Sequence, residues 1–440
     1  MASISAESND SQIVGQIIDN GRVSATQVLV IALAIVLNML DGFDVTAMAF
    51  TVHPIGQELQ ISPDMLGIVF SAALAGMMIG ALFVAPLSDD FGRRLLILIC
   101  TGIIGVTTVL TGLSSALWEL LILRFITGVA VGGLLASLAA IAAEYSSEKY
   151  RSLAVVCVTA GYPLGATLGG FIAAALIPEY GWRSVFFAGG SLTIAMVFLL
   201  YFKLPESLQF LLTKQPANAL TRVNSILLRM KKRELSSLPK LSDKKADEKA
   251  SVSSLLSSSR SRLTLTLWAS FFFCFIVLYF LMSWIPKLVV NAGLSEVEGV
   301  FASVAFNGGG VMGIVLLGFM ASKFSLSRLI GFSLMAATGF MVLFALASGL
   351  HNLIVYLLAI GLLLQGGFTG LYAVAAKVYP TEIRATGVGW AIGLGRFGAV
   401  VGPYVGGILI DMNVSMEFNF MLFAVPLLIS GLLALKLNAH

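Results

Sequence analysis

Along this chain apolar residues gather into twelve long stretches separated by short polar segments. They run roughly over 25–50, 65–87, 95–115, 118–141, 152–176, 184–203, 264–286, 299–321, 327–348, 352–376, 386–410 and 418–437, each near the length that crosses a bilayer as a helix. Six precede and six follow a basic, serine-rich stretch containing "RMKKRELSSLPKLSDKKADEKASVSSLLSSSRSR", which reads as a solvated linker. The pattern predicts an all-α polytopic membrane protein with twelve transmembrane helices in two six-helix bundles. Its expected parts are a tail over 1–24, a first bundle over 25–203, a linker over 204–263 and a second bundle over 264–440.

Composition strengthens this. The 440 residues are 58% hydrophobic and 11% charged, against about 25% charged in a soluble domain. The first 24 residues are polar and lack an apolar leader core, so no cleavable signal is expected. Of 27 lysines and arginines, 23 fall on segments that share one side with both termini, thirteen of them from Lys203 to Arg262. Only Arg183 and Lys287 fall on the other side. Basic loops stay inside, so both termini are expected in the cytoplasm. Cys100, Cys157 and Cys274 lie in apolar surroundings and read as packing thiols, so neither a metal nor a cofactor is expected. An enzyme is not expected either, because no nucleotide-binding loop, metal cluster or nucleophile–base set is visible. His53, His351 and His440 are far apart, and the first two are expected in solvated outer loops.

The halves echo each other. Span five reads "GYPLGATLGG" and span eleven "GAVVGPYVGG", with four glycines at the same spacing, displaced by 237 positions. "GVAVGG" of span four aligns with "LLLQGG" of span ten at a displacement of 234. Glycines every fourth residue let helices approach closely, and paired halves around a midplane site are a transporter architecture. The two bundles are therefore expected to be pseudo-symmetric.

Charges inside the spans point to chemistry. "LNMLDGFDVTAMAF" in span one carries Asp41 and Asp44, three residues apart and so on one helical face. A charge at this depth costs about 2.5–3.5 kcal/mol on insertion scales, so it is expected to face a cavity and a partner. The basic residues inside spans are Arg124 in "LILRFITGVAVGG" and Arg396 in "AIGLGRFGAVVG". By depth Arg124 is the expected partner of Asp41 or Asp44, which leaves Arg396 to hold a substrate carboxylate. Phe43, Trp390, Tyr279 and Trp284 are candidates to flank an aromatic ring.

"PLSDDFGRR" after span two matches the loop signature of the major facilitator superfamily. With "LDGFD", "RFITGVAVGG", "YPTEIRATGVGW" and "GLGRFGAVVGP", the chain resembles the aromatic acid:proton symporter branch of that superfamily from about residue 25 to 437. The resemblance implies the major facilitator fold in a bacterial inner membrane, working as a monomer on a small organic anion and protons, with no nucleic-acid partner. It implies proton-coupled uptake in which Asp41 and Asp44 couple to the proton; Arg124, Arg396, Phe43 and Trp390 are the residues expected to bind substrate. It further implies a cytoplasmic gate of Asp89, Gly92, Arg93, Arg94, Glu144, Arg151, Glu382 and Arg384, with Glu206 of "PES" beside it and Asp89 able to cap a neighbouring helix. A proton-coupled exporter of cationic drugs on the same fold is the alternative. The buried Arg396 and the misplaced exporter glycine motif favour an anion.

Overall fold

The computed structural model describes residues 18, 23–238, 255–256, 260–321, 323–346, 352–379 and 381–437, the side chains of 381, 382, 384 and 385 excepted. Among these, twelve helices are long and apolar enough to cross a membrane. They are α1 Ala25–Glu58, α2 Pro63–Val84, α3 Arg93–Leu113, α4 Leu117–Glu144, α5 Glu148–Tyr180 and α6 Arg183–Lys203 in the first half. The second half has α7 Ser261–Asn291, α8 Glu296–Met320, α9 Leu326–Leu346, α10 Leu353–Val378, α11 Thr381–Asp411 and α12 Met416–Leu435. Twelve crossings bring the start of α1 and the end of α12 to one face, the termini face. The opposite end is the far face.

Local signals set the helix starts. Ser24 and Gln27 form a reciprocal capping box at α1, and Ser295 and Glu298 do the same at α8. Pro63 occupies the first turn of α2, where its missing N–H costs nothing. Several helices outrun their apolar cores. α1 continues to Glu58 and α7 to Asn291, so His53 and Lys287 are helical and not in outer loops.

The two bundles pack by one scheme used twice. α1 packs on α5, α2 on α4 and α3 on α6, and these contacts recur as α7 on α11, α8 on α10 and α9 on α12. The register repeats residue by residue. Cβ atoms at Gly161 and Gly165 would strike the α1 backbone at Ile35 and Met39, and at Gly398 and Gly402 the α7 backbone at Phe272 and Ile276. All four correspondences are displaced by the 237 positions read from the sequence. Between α2 and α4 the contacts repeat at 233: Gly76 on Phe125 becomes Gly309 on Leu358, and Gly80 on Val129 becomes Gly313 on Leu362. The displacement of 234 lined up a "GG" letter pair, whereas backbone crossings set the true register. In that register Gly132 against Met77 becomes Gln365 against Gly310, so the small residue changes helix.

The halves meet at the far face. Ser71 Oγ of α2 donates to Val400 O of α11 at 2.7 Å, and Gly67 lies against the backbone of Pro403 and Gly407. Phe70 meets Trp284 edge-on at 5.3 Å, and Phe171 of α5 meets Phe301 of α8 at 5.9 Å.

Part of the expected linker forms helices on the termini face. Helices Leu208–Lys214 and Ala219–Arg229 bury Leu208, Leu211, Val223, Ile226 and Leu227. Tyr145 Oη donates to Glu206 O at 2.7 Å, and Thr26 Oγ1 donates to Arg229 O at 2.9 Å. These tie the segment to the first half. Its amphipathic period was masked by the lysine- and serine-rich run that follows.

Candidate functional site

Asp44 is buried and fully engaged. Arg124 Nη1 reaches its two oxygens at 3.1 and 3.3 Å, and Thr108 Oγ1 donates to Oδ1 at 2.5 Å. Arg124 Nη2 donates to Thr111 Oγ1 at 3.0 Å, and its guanidinium lies 5.6 Å from the Phe186 ring centre. The hydroxyls come from α3, where Thr108 and Thr111 share a face three residues apart. Those threonines were the readable signal for this support, since they stand out in an apolar span. Arg124 is only 2% exposed. The structure therefore spends it on Asp44 and does not open it to a ligand.

Asp41, one helical turn earlier, is as deeply buried, yet neither carboxylate oxygen has a hydrogen-bond partner among the described residues. The charges that act on it are Asp44 and, from the other half, Arg396. Asn38, a further turn back, donates to Val158 O at 2.5 Å and leaves its own carbonyl oxygen unpaired. Such orphans are rare because each costs about 1–3 kcal/mol.

Arg396 of α11 is partly open, and its Nε has no partner among the described residues. Its charge acts on Tyr162 of α5, Tyr279 of α7 and Tyr372 of α10. Tyr162 Oη is likewise buried and unpaired. An aromatic wall stands beside this arginine. Phe275 stacks on Tyr279 at 5.8 Å and meets Phe368 edge-on at 4.8 Å, and Tyr372 meets Phe368 and Phe271, each at 5.3 Å. Gly395 lets Phe275 lie directly on the α11 backbone next to Arg396. Tyr162, Tyr372, Phe275 and Phe368 went unread in the sequence, because aromatic residues in apolar spans carry no sign of which way they face.

The other expected ring partners are elsewhere. Phe43 is wedged between Gly169 of α5 and Gly189 of α6. Its counterpart 237 positions on, Phe280, fills the same socket at Gly406 and stacks on Phe423 at 3.6 Å. The duplicate socket gives both rings the same packing contact. Trp284 is fully buried in the far-face closure, donating to Pro403 O at 2.8 Å. Trp390 is 44% exposed and stacks on Trp268 at 6.0 Å, toward the termini face.

On the termini face the expected gate residues gather within the first half. Arg93 pairs with Glu144, and Glu144 also accepts from Ser207 Oγ at 2.6 Å. Glu206 caps α3, accepting from Arg94 N at 3.0 Å and lying against Gly92, whose φ of +96° requires glycine. The cap expected from Asp89 is thus supplied by Glu206. Asp89 is exposed and, among the described residues, reaches only Arg93, at 3.7 Å. Arg151 is exposed and lines a cleft of about 440 Å³ with Arg93 and Glu144. The side chains of Glu382 and Arg384 lie outside the described residues, as do His351 and His440. At the far face, Lys287 Nζ lies 2.7 Å from His53 Nδ1, and Glu296 lies 3.8 Å from His53 Nε2, joining α1 to α7 and α8. Among the described residues no cluster of three His, Cys, Asp or Glu is placed to hold a metal ion.

The family model of the Major Facilitator Superfamily matches residues 34–364 and 301–439. The chain belongs to that superfamily. It is 33% identical to the gallate transporter of Pseudomonas putida, over 96% of this chain and 94% of that protein. To the 4-hydroxybenzoate transporter PcaK of Acinetobacter baylyi it is 32% identical, over 93% and 91%. These matches place it in the aromatic acid branch. In fold it is similar to the inward-open xylose transporter XylE of E. coli, with a TM-score of 0.73 at 16% identity over 94% of this chain and 96% of that one. A superfamily transporter with two six-helix halves and no enzymatic role accounts for the architecture above.

Proposed function

We propose that this protein takes up an aromatic carboxylate together with protons by alternating access. The observation that carries the reading is the contrast between the two acids of α1. Asp44 is neutralised by Arg124 and held by Thr108, while Asp41 is bare, with Arg396 the cation acting on it from the other half. A buried carboxylate without a partner can be neutralised by a proton or by a cation brought to it. A substrate carboxylate arriving on Arg396 competes for that cation, and a proton on Asp41 then replaces it. Substrate and proton thus favour each other's presence. Arg396 offers a bidentate fork for the carboxylate, and the wall of Phe275, Tyr279, Phe368 and Tyr372 offers faces and edges for a ring. Names of the relatives, gallate and 4-hydroxybenzoate transporters, support the same substrate class. Neither is named as a drug exporter, and Arg396 with its aromatic wall favours an anion over a cationic substrate.

In this reading both termini lie in the cytoplasm of a bacterial inner membrane, the basic termini face being inside, and one chain is the working unit. The domain limits at 25–203 and 264–440 are those of the two moving bodies. The closed far face and a gate network that, among the described residues, lies within the first half support an inward-facing state. The test is uptake by proteoliposomes under an imposed acid-outside gradient. Asp41→Asn is expected to abolish gradient-driven accumulation of hydroxybenzoate while the purified variant elutes like the parent. Accumulation equal to the parent's would remove Asp41 from the coupling.

A further inference from the structure

A second polar cleft, of about 420 Å³, opens on the termini face where α6 ends, α3 begins and the helix Ala219–Arg229 crosses below them. Its volume falls in the range of about 300–1,000 Å³ typical of ligand sites. Arg94, Arg222 and Arg229 line it, with the hydroxyls of Thr221 and Ser225. Glu206 also lines it, its Oε1 accepting from the backbone N–H groups of Arg94 and Ser207, so one carboxylate faces three guanidinium groups. Arg94 donates to Tyr201 O at 2.5 Å and keeps a buried Nε without a partner among the described residues. Arg222 and Arg229 project from the exposed face of their helix, opposite Val223, Ile226 and Leu227, which anchor it. The cleft is therefore cationic, donor-rich and built on a fixed platform.

Its upper wall decides what it holds. Phe202, 72% exposed, lines the cleft and continues upward into a strip of exposed Phe198, Leu95 and Ile99 on α6 and α3. These two helices are peripheral, so that strip meets the acyl region of a bilayer. A ligand fitting both parts has an anionic phosphate ester at one end and a hydrocarbon chain at the other. We propose that this cleft binds the phosphate headgroup of an anionic phospholipid from the leaflet on the termini face, its acyl chain lying along α3 and α6. Three arginines in a pocket beside membrane helices on the basic side are suited to such a headgroup. The site is separate from Arg396 and its wall.

The experiment is native mass spectrometry of the full-length protein released from detergent, with dioleoyl phosphatidylglycerol or dioleoyl phosphatidylcholine added. The double variant Arg222→Gln/Arg229→Gln keeps both exposed positions polar. Preferential retention of phosphatidylglycerol that falls about 30-fold in affinity in the double variant is expected, from two lost arginines at the membrane surface. Equal retention of the two lipids, or a double variant that keeps the parent's preference, would overturn the proposal. A third arm adds millimolar sn-glycerol-1-phosphate. Failure to displace the lipid supports the lipid assignment, and full displacement overturns it in favour of a soluble phosphate ester.

Discussion

In the first half Phe43 fills a socket at Gly169, and in the second Phe280 fills the matching socket at Gly406. Around these sockets the same helix pairs touch at the same register. At the charged positions the correspondence breaks. Counting 237 forward, Asp41 and Asp44 become Leu278 and Leu281, and counting back, Arg396 becomes Thr159. At the displacement of 233 that α4 and α10 obey, Arg124 becomes Leu357. The duplicated residues build the scaffold, and the unduplicated ones carry the acid pair on one side and the arginine with its aromatic wall on the other. Residues that break an internal repeat are the ones to test for function.

Moving the second half's leucines into the first attacks that division most directly. Asp44→Leu alone leaves Arg124 buried and unpaired and is expected to destabilise by about 3–5 kcal/mol, read as a lowered unfolding midpoint in detergent. Asp44→Leu with Arg124→Leu, which copies Leu281 and Leu357, is expected to regain the parent's midpoint and still show no gradient-driven uptake. If the double variant transports, Asp44 and Arg124 are scaffold after all. Next, Phe43→Ala and Phe280→Ala should each cost about 3 kcal/mol, with matching losses because the sockets match. A change in substrate affinity for Phe43→Ala alone would return Phe43 to the site. Arg396→Lys keeps the charge and loses the fork, so binding of a carboxylate by calorimetry should weaken about 10-fold while its amide analogue is unaffected. Equal losses for both would make Arg396 structural. Trp390→Ala, at a ring stacked on Trp268 toward the termini face, should change that affinity by less than about twofold.

Much of this arrangement can be read without coordinates. Span length, basic loops and the 237-position echo carry the fold, because bilayer thickness and close helix packing leave their marks in composition and spacing. The pairing of Arg124 with an α1 acid follows from depth. Which acid it takes does not, since Asp41 and Asp44 differ by a turn and the choice falls to Thr108 and Thr111 on a third helix. Helix rotation hides the aromatic wall in the same way: Phe43 and Phe275 look alike as letters, and only packing sends one into a socket and the other beside an arginine. His53 was misplaced because apolar content marks the membrane-crossing core of α1 and not its two further polar turns.

The glycine rows that bolt α1 to α5 and α7 to α11 have a mechanical consequence. They make each half a stiff plate, so rocking cannot be absorbed inside a half and must appear as displacement between them. Asp41 rides on one plate and Arg396 on the other, and Coulomb attraction varies with their separation. The gap between acid and arginine is then a gauge of which way the carrier faces. In the proposed cycle, whatever changes the charge at either end of that gauge, a proton or an anion, shifts the balance between the two tilts without any dedicated relay of side chains.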